Sequence, residues 1–342
     1  MAKGKNVKNK KEIKSKRISL YPIQYPSIWK MVKKQEGLMW KLHEVDFSQD
    51  QKDWKSGKIK KAFKKIIMKN FGFFIVSEDV VIDTASSIGE DLPDHYKEAK
   101  RFIIDQICQE AIHEEGYSSS FYNITDDDKE REEVLDFARN SKALNKKVEW
   151  MKKYCSSEAP LAERIIACMC TEGIFLQGAF TPFLKLGTLG LMPGLVMMNG
   201  YIRRDEFLHK DWWCTLLFTL IQDGIVKMPK ISKIEEIIGS AVAVEKQYNI
   251  EMLDGGFEEL TKENLSDYDE AMGEILFRDL NMKSYYGKFK TMSDKIPIPK
   301  DLSYMNMSAL DGKTNFFEKR VLEYGAGKTE KEEVILDLDL DI

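Results

Sequence analysis

Apolar residues recur at spacings of three and four along most of the chain, which predicts a series of amphipathic α-helices. Proline is scarce, with nine residues, and helix-forming residues fill the segments between the proline-containing stretches 22–26 and 296–299. No run has the period-two alternation of a convincing β-strand, and no repeat of solenoid length is visible. Helices are predicted at about 27–40, 54–85, 94–124, 128–154, 158–185, 190–225, 231–254 and 262–284.

Several of these predicted helices are long, and they lack the sustained heptads of a coiled coil. Long helices packed into a bundle fit this pattern, so the predicted fold class is all-α. The most apolar stretch, from Leu161 to Ile202, is interrupted by charged residues and glycines, whereas a membrane span needs about 20 apolar residues with few charges. That stretch therefore predicts a pair of buried core helices and no membrane segment.

The helical pattern divides the chain into three parts. The first 17 residues, MAKGKNVKNKKEIKSKR, are basic and carry almost nothing apolar, so residues 1–20 are predicted to be a disordered arm. Its role is open between a solubilising tail and a localisation or nucleic-acid function. Residues 21–290 form the predicted helical domain, and residues 291–342, where the pattern fades, form a predicted extended tail.

Composition adds two expectations. The formal net charge of -4 gives no broad attraction for nucleic acid, so no nucleic-acid partner is expected for the folded domain. The five cysteines include no C-x-x-C pair and follow no secretory leader, which predicts free thiols and a cytoplasmic location.

Two of the four histidines have a glutamate three residues earlier, in E-A-I-H at 110–113 and E-F-L-H at 206–209. Three residues is close to one helical turn, so on a helix each glutamate and its histidine point the same way. Glu172 lies in the apolar segment ACMCTEGIFLQGAF, where an isolated buried carboxylate is costly. Asp46, in HEVDFSQD, begins or precedes a helix further upstream.

Helical bundles that hold two iron or manganese ions take one carboxylate from each of two helices and a Glu-x-x-His pair from each of two others. The candidate metal ligands, in chain order, are Asp46, Glu110, His113, Glu172, Glu206 and His209. Four carboxylates neutralise two divalent ions, and one imidazole per ion suits iron or manganese and leaves the site open to dioxygen. The alternative is two Glu–His pairs on helix surfaces and a stray buried glutamate.

Tyr117 follows His113 by four residues, one turn along the same helical face. A tyrosine at helical spacing is ordinarily a core aromatic with a satisfied hydroxyl. Beside a dioxygen-activating metal pair, however, a phenol is an oxidisable group. Tyr117 is therefore a candidate radical site.

Five longer motifs extend this pattern from about Tyr25 to Tyr324. They are YPSIWKMVKKQEGLMWKLHEVDFSQD at 25–50, EAIHEEGYS at 110–118, EGIFLQGAF at 172–180, RRDEFLHKDW at 203–212 and NFFEKRVLEY at 315–324. With these motifs the chain resembles the small, radical-generating subunit of class I ribonucleotide reductase. The resemblance implies a ferritin-like bundle of long helices with a di-metal site in its core.

The resemblance also implies a role for each candidate residue. One metal ion would be held by Asp46, Glu110 and His113, and the other by Glu172, Glu206 and His209, with Glu110 and Glu206 as bridges. Tyr117 would carry the stable tyrosyl radical. Trp29, with Asp205 and His113, would form the buried relay along which an electron and a proton leave. Tyr324 would pass the oxidising equivalent to the large subunit.

Cofactors and partners follow from the same resemblance. It implies two iron ions per chain, with manganese or a mixed manganese–iron pair as alternatives, a homodimer, dioxygen, an external electron donor and a large catalytic subunit. The last residues, VILDLDLDI, alternate apolar and acidic groups, which suits docking in a groove of that large subunit. Leu176 is a departure, since many relatives carry phenylalanine at this position near the metal pair.

Two other functions fit the metal pattern. One is a two-metal oxidase that acts on a lipid or another small molecule without a large subunit, which would have no use for Trp29, Tyr324 or the acidic tail. The other is a ferritin-like protein that sequesters iron, which would assemble into a shell and take up many ions per chain.

Overall fold

The computed structural model describes residues 17–125 and 127–306, and this part of the chain contains eleven α-helices and no β-strand. The predicted all-α fold is confirmed. The helices are α1 (Pro26–Glu36), α2 (Ser48–Lys55), α3 (Lys61–Asp91), α4 (Lys97–Ile124), α5 (Asp128–Asn140), α6 (Lys142–Tyr154), α7 (Leu161–Cys170), α8 (Leu176–Thr188), α9 (Pro193–Gln222), α10 (Ile231–Leu253) and α11 (Lys262–Asp279).

The long helices pack into one bundle around a continuous apolar core. Helix α3 runs along α4, α9 packs against both α7 and α8, and α10 packs against α6 and α11. Each helix directs a stripe of apolar side chains, spaced three and four residues apart, toward this core. The polar residues that share those inward stripes are the exceptions on which function depends.

Two of the predicted helices are each two separate helices in the structure, and other predicted boundaries move by a few residues. The segment predicted as 54–85 is a short helix and a long one, separated by a turn in which Gly57 has a φ of 75°. The segment predicted as 128–154 breaks at Ser141, whose hydroxyl accepts a hydrogen bond from the backbone N–H of Leu144 at 3.0 Å. Ser141 therefore caps a new helix, an outcome that apolar spacing alone does not distinguish from continuation.

The segment Leu161–Thr188 is long and apolar enough to cross a membrane, and its apolar window is entirely buried in the bundle. It is not a uniform helix. Between α7 and α8 the chain forms a π-helical turn, Thr171–Phe175, which contains Glu172. At Gly173 a Cβ atom would lie 2.8 Å from Leu276 Cδ1, so only glycine lets α11 approach this turn so closely.

The helical domain extends beyond its predicted end. Residues 291–305 were expected in the tail, but Ile296, Leu302 and Met305 are buried, and the compact unit runs to Met305. At the other end, Arg17 forms an ion pair with buried Glu98. The expectations for residues 1–16 and 307–342, including Tyr324 and the acidic C-terminal segment, fall outside the described residues.

Candidate metal centre

Four helical segments bring six ionisable side chains together in the middle of the bundle. The group, called here the Glu–His cluster, consists of Glu78 from α3, Glu110 and His113 from α4, Glu172 from the π turn, and Glu206 and His209 from α9. Every member is at most 1% exposed. The two Glu-x-x-His pairs lie on facing helices, as their spacing predicts.

The donor atoms fall into two overlapping sets. Atoms of Glu110, Glu172, Glu206 and His209 lie within 4.8 Å of one another, and so do atoms of Glu78, Glu110 and His113. Glu110 belongs to both sets. Glu206 also reaches both histidines, with Oε1 at 2.9 Å from His113 Nδ1 and Oε2 at 3.5 Å from His209 Nδ1. Glu110 and Glu206 are therefore the two carboxylates of the cluster that contact both histidines.

His113 is held from behind by a carboxylate. Its Nδ1 faces the cluster, 2.9 Å from Glu110 Oε2, while its Nε2 lies 3.4 Å from Asp205 Oδ2. The same Asp205 oxygen accepts a hydrogen bond from the indole N–H of Trp40 at 2.8 Å. We call Glu78, His113, Asp205 and Trp40 the His113 side of the cluster.

His209 is held from behind by amides. Its Nδ1 faces the cluster, 3.0 Å from Glu110 Oε1, and its Nε2 lies 3.1 Å from Gln109 Oε1. Gln109 Oε1 also accepts a hydrogen bond from Gln35 Nε2 at 2.6 Å. We call Glu172, His209, Gln109 and Gln35 the His209 side.

The π turn positions Glu172 between two hydrogen-bond donors. Glu172 Oε1 accepts hydrogen bonds from Gln106 Nε2 at 2.8 Å and from the indole N–H of Trp213 at 2.9 Å. Its Oε2 is buried without a partner. A π turn rotates the following residues relative to an α-helix and is frequent at functional sites, which matches the inward position of this carboxylate.

The cluster is electrostatically costly as it stands. Burial, with the neighbouring Glu110 and Glu206, raises the pKa of Glu78 well above its usual range, and burial likewise raises the pKa of Glu172. Burial also opposes ionisation of Glu110, but His209 and His113 outweigh it and lower the pKa of that carboxyl. No lysine or arginine pairs with these glutamates in the part of the chain that the structure describes.

The residues present fit two divalent cations. Both carboxylate oxygens of Glu78, and Oε2 of Glu172, are buried without a hydrogen-bond partner. The separations of about 3 Å between donor atoms are those expected for neighbouring ligands of an octahedral ion with bonds of about 2.1 Å. Both imidazoles direct Nδ1 inward and leave Nε2 to an outer acceptor, as metal-bound histidines do.

Tyr117 lies one turn beyond His113 and is completely buried. Its hydroxyl donates a hydrogen bond to Asn199 Oδ1 at 3.0 Å, and its ring stacks on Phe74 with centroids 4.0 Å apart. Burial, and secondarily the charge of Glu78, raises the pKa of Tyr117 well above its usual range. The phenol is therefore neutral and shielded from water.

The family description "Ribonucleotide reductase, small chain" matches residues 17–292. This protein belongs to the ribonucleotide reductase small-chain family. A ribonucleoside-diphosphate reductase small chain of Arabidopsis thaliana is 34% identical over 309 residues, which cover 90% of this chain and 87% of the relative. The small chain of Plasmodium falciparum is 34% identical over 328 residues, covering 95% and 88%.

Solved structures share the ribonucleotide reductase small-chain fold. The Rnr4 homodimer of Saccharomyces cerevisiae matches with a TM-score of 0.69 and 25% identity, covering 94% of this chain and 96% of that one. The dimanganese(II)-NrdF of Streptococcus sanguinis matches with a TM-score of 0.71 and 15% identity, covering 85% and 99%, and so supports the fold alone. Family and cluster together indicate a di-metal centre.

One expected ligand of this small-chain centre lies elsewhere. Asp46 is exposed outside the cluster, where its Oδ1 accepts a hydrogen bond from the backbone N–H of Ser48 at 2.8 Å. The reason is local, because Asp46 stands in the turn just before the short helix α2, whereas the residues of the cluster project from helical segments that cross the core. Glu78 of α3 occupies the expected position instead.

The expected tryptophan of the relay also lies elsewhere. Trp29 is half-buried at the surface, where its ring packs edge-on against Tyr21 and Lys33 Nζ lies 4.5 Å above it. Trp40 makes the contact with Asp205 that was expected of Trp29. Asp205 itself is buried between His113 and Trp40, where the small-chain resemblance places it.

The sequence held a signal for the inward position of Glu78 and for the outward position of Trp29. Glu78 interrupts the apolar run FGFFIVSEDVV and continues the inward stripe of Phe71, Phe74 and Val81, whereas the adjacent Asp79 falls outside that stripe and is exposed. On α1 the buried stripe consists of Ile28, Val32 and Gln35, which leaves Trp29 one position off the inward face. Helical periodicity applied to these segments selects Glu78 and rejects Trp29.

Proposed function

We propose that this chain is the small subunit of a ribonucleoside-diphosphate reductase. In this proposal it holds two iron ions, generates a radical on Tyr117 with dioxygen, and passes the oxidising equivalent to a large catalytic subunit that reduces ribonucleotides. The observation that carries the proposal is a buried cluster of four glutamates and two histidines, with no lysine or arginine paired to it among the described residues, beside a buried phenol. Relatives named as ribonucleoside-diphosphate reductase small chains support it.

The proposed ligands divide between the two sides of the cluster. Glu78 and His113 would hold one ion, Glu172 and His209 the other, and Glu110 and Glu206 would bridge them. When bound, such a metal pair supplies the electrons that reduce dioxygen. The protein's contribution is to fix the donor atoms and to keep the site dry, since every ligand is buried.

Tyr117 is proposed to lose one electron and its hydroxyl proton, which leaves a neutral phenoxyl radical. Its raised pKa keeps the proton in place until the electron leaves. The ring is enclosed by Phe74, Phe71 and Phe183, which exclude water and external reductants. Leu176, where many relatives carry phenylalanine, is also fully buried and maintains an apolar wall.

Trp40, Asp205 and His113 form a continuous line from the cluster toward the surface, and we propose this line as the electron and proton relay. Asp205 Oδ2 accepts from the Trp40 indole and faces His113 Nε2, so one carboxylate joins an oxidisable ring to the cluster. Trp40 is 3% exposed and packs against Tyr201, with ring centroids 5.5 Å apart.

The partners are proposed from the family. A homodimer is expected, since the Rnr4 relative is a homodimer. The acidic and apolar residues VILDLDLDI, with Tyr324 upstream, are proposed to contact the large subunit. An external electron donor and dioxygen complete the set. The five free cysteines support a cytoplasmic location, where thiols stay reduced.

The decisive experiment loads purified protein with ferrous iron without oxygen and then admits air. A tyrosyl signal in the electron paramagnetic resonance (EPR) spectrum, absent from a Tyr117→Phe variant that retains its metal, is the expected result. An unchanged signal in that variant would assign the radical to another residue. Metal analysis of protein isolated without added iron distinguishes iron from manganese and mixed pairs.

A further inference from the structure

Arg203 is a buried arginine that lacks a carboxylate. It lies on α9, three residues before Glu206, and is 1% exposed. Among the described residues no acidic side chain forms an ion pair with it, and its Nη1 has no hydrogen-bond partner. Buried guanidinium groups are ordinarily paired with carboxylates because an unpaired buried charge is costly. What Arg203 does contact therefore calls for a functional explanation.

Its contacts form a line of hydrogen bonds that ends at a metal-ligand residue. Arg203 Nη2 donates to the backbone carbonyl of Met305 at 2.5 Å, and Nε donates to Gln177 Oε1 at 3.0 Å. Gln177 Nε2 then donates to the backbone carbonyl of Glu172 at 3.1 Å. One end of the line is the last part of the compact domain, and the other is the π turn that carries Glu172.

The π turn needs such donors. Two of its carbonyls accept from side chains, that of Glu172 from Gln177 and that of Phe175 from buried Lys147 at 3.1 Å. Lys147 Nζ forms an ion pair with Glu245 Oε2 at 2.7 Å, so its charge is balanced by a buried carboxylate. Gln177 is different, because its own orientation depends on Arg203. The backbone carbonyls of Glu172 and Phe175 are thus held by side-chain hydrogen bonds and not by packing alone.

We propose that Gln177 and Arg203 are positioning residues that fix Glu172 for metal binding and tie it to the 3-10 turn Lys300–Met305. In this arrangement, metal binding at Glu172 and the seating of that turn on the bundle favour each other, since a coupling between two sites is reciprocal. The turn is the last part of the compact domain, so the coupling connects the metal centre to the end of that domain. The inference rests on the proposed function.

The test is a Mn²⁺ titration of the full-length protein, with free Mn²⁺ followed by EPR. The wild type should bind two ions per chain. Gln177→Leu and Arg203→Met should each weaken one of the two by about 10–100-fold, the usual effect of removing a residue that supports a ligand from behind. Because the two residues act in series, the double variant should bind the affected ion no more weakly than whichever single variant binds it more weakly.

Arg278→Met is the matched control. Arg278 Nη1 also donates to a backbone carbonyl near the end of the compact domain, that of Asp294 at 3.2 Å, but none of its hydrogen bonds or ion pairs in the described part of the chain reaches the π turn. This variant should bind both ions with wild-type affinity. Circular dichroism establishes that each variant is folded. If Arg203→Met does not fold, Gln177→Leu, which removes no charge, decides whether the inference holds.

Hydrogen exchange measures the reciprocal effect. Mn²⁺ should slow amide exchange in residues 300–305 of the wild type and of Arg278→Met, but not of Arg203→Met. Wild-type affinity for both ions in folded Gln177→Leu and Arg203→Met would overturn the inference and leave the proposed function intact. Failure of the wild type to bind a pair of ions would instead overturn the proposed function, and the inference with it.

Discussion

The two histidines of the cluster share a motif, a depth of burial and an orientation, yet their surroundings differ. His113 Nε2 faces the carboxylate of Asp205, which in turn holds the indole of Trp40. His209 Nε2 faces the amide oxygen of Gln109. A carboxylate can take up a proton and an indole can be oxidised, whereas an amide does neither near neutral pH. The Glu-x-x-His pattern is therefore symmetric, but among the described residues only behind His113 does a carboxylate join the outer imidazole nitrogen to an indole.

The terminal carboxylates differ in the same way. Glu172, on the His209 side, accepts hydrogen bonds from Gln106 and Trp213, so its position is defined by the protein. Glu78, on the His113 side, has no hydrogen-bond partner at either oxygen. A bound cation would be the first partner of this carboxylate among the described contacts. The His113 side is thus the less preorganised half of the cluster.

The largest expected effect follows from that difference. Glu78→Gln removes the terminal carboxylate of the His113 side, so the protein should retain only the ion on the His209 side after loading and desalting. Elemental analysis of the metal-to-protein ratio measures this. Asp46→Asn is the control, since Asp46 lies outside the cluster, and it should retain both ions. The opposite pattern, with loss in Asp46→Asn alone, would return Asp46 to the ligand set.

Trp40→Phe tests whether the His113 side is the exit. Phenylalanine keeps an aromatic ring but cannot donate to Asp205 and is far harder to oxidise. Turnover in the presence of the large subunit should fall by about 100-fold, while the Tyr117 radical still forms. Trp29→Phe is matched in chemistry and should keep turnover within about twofold, because its ring is at the surface. Equal losses in both variants would remove the distinction between the two tryptophans.

The sequence predicted what depends on local spacing. The two Glu-x-x-His pairs are spaced by one helical turn, and the structure brings both into one cluster. Glu172 was predicted because a lone acid in an apolar helix needs a partner. Glu78 satisfies the same criterion, but it has no histidine at helical spacing and stands beside Asp79, so only the direction of the α3 stripe separates them.

What spacing could not predict is contact between distant segments. Trp40 and Asp205 are 165 residues apart, and Gln109 and His209 are 100 apart, so these hydrogen bonds exist only after the helices pack. The break at Ser141 and the π turn at Thr171–Phe175 are similar, because each is decided by a few hydrogen bonds that the spacing of apolar residues does not specify.

Asn199→Leu sharpens the comparison by testing how firmly Tyr117, one turn beyond His113, is held by its hydrogen bond. Leucine has the same branched side-chain skeleton as asparagine but offers no acceptor, so the buried Tyr117 hydroxyl loses its only hydrogen bond among the described residues. The free energy of unfolding should fall by about 1–3 kcal/mol, measured by urea denaturation. The metal content should remain that of the wild type, since Asn199 is outside the cluster. Unchanged stability would mean that the phenol finds another acceptor.

Gln109→Leu tests the His209 side of the cluster. The substitution removes the acceptor behind His209 Nε2 and the partner of Gln35, so the imidazole is less firmly oriented. Affinity for the ion on the His209 side should fall by about 10-fold in a Mn²⁺ titration, the lower end of the range for outer contacts, because an amide polarises the imidazole less than a carboxylate does. Once the site is saturated with metal, radical transfer should be unaffected, since no oxidisable ring lies behind Gln109 in the described contacts. If turnover of the saturated variant fell as far as that of Trp40→Phe, the His209 side would also carry the relay, and the asymmetry between the two histidines would lose its functional meaning.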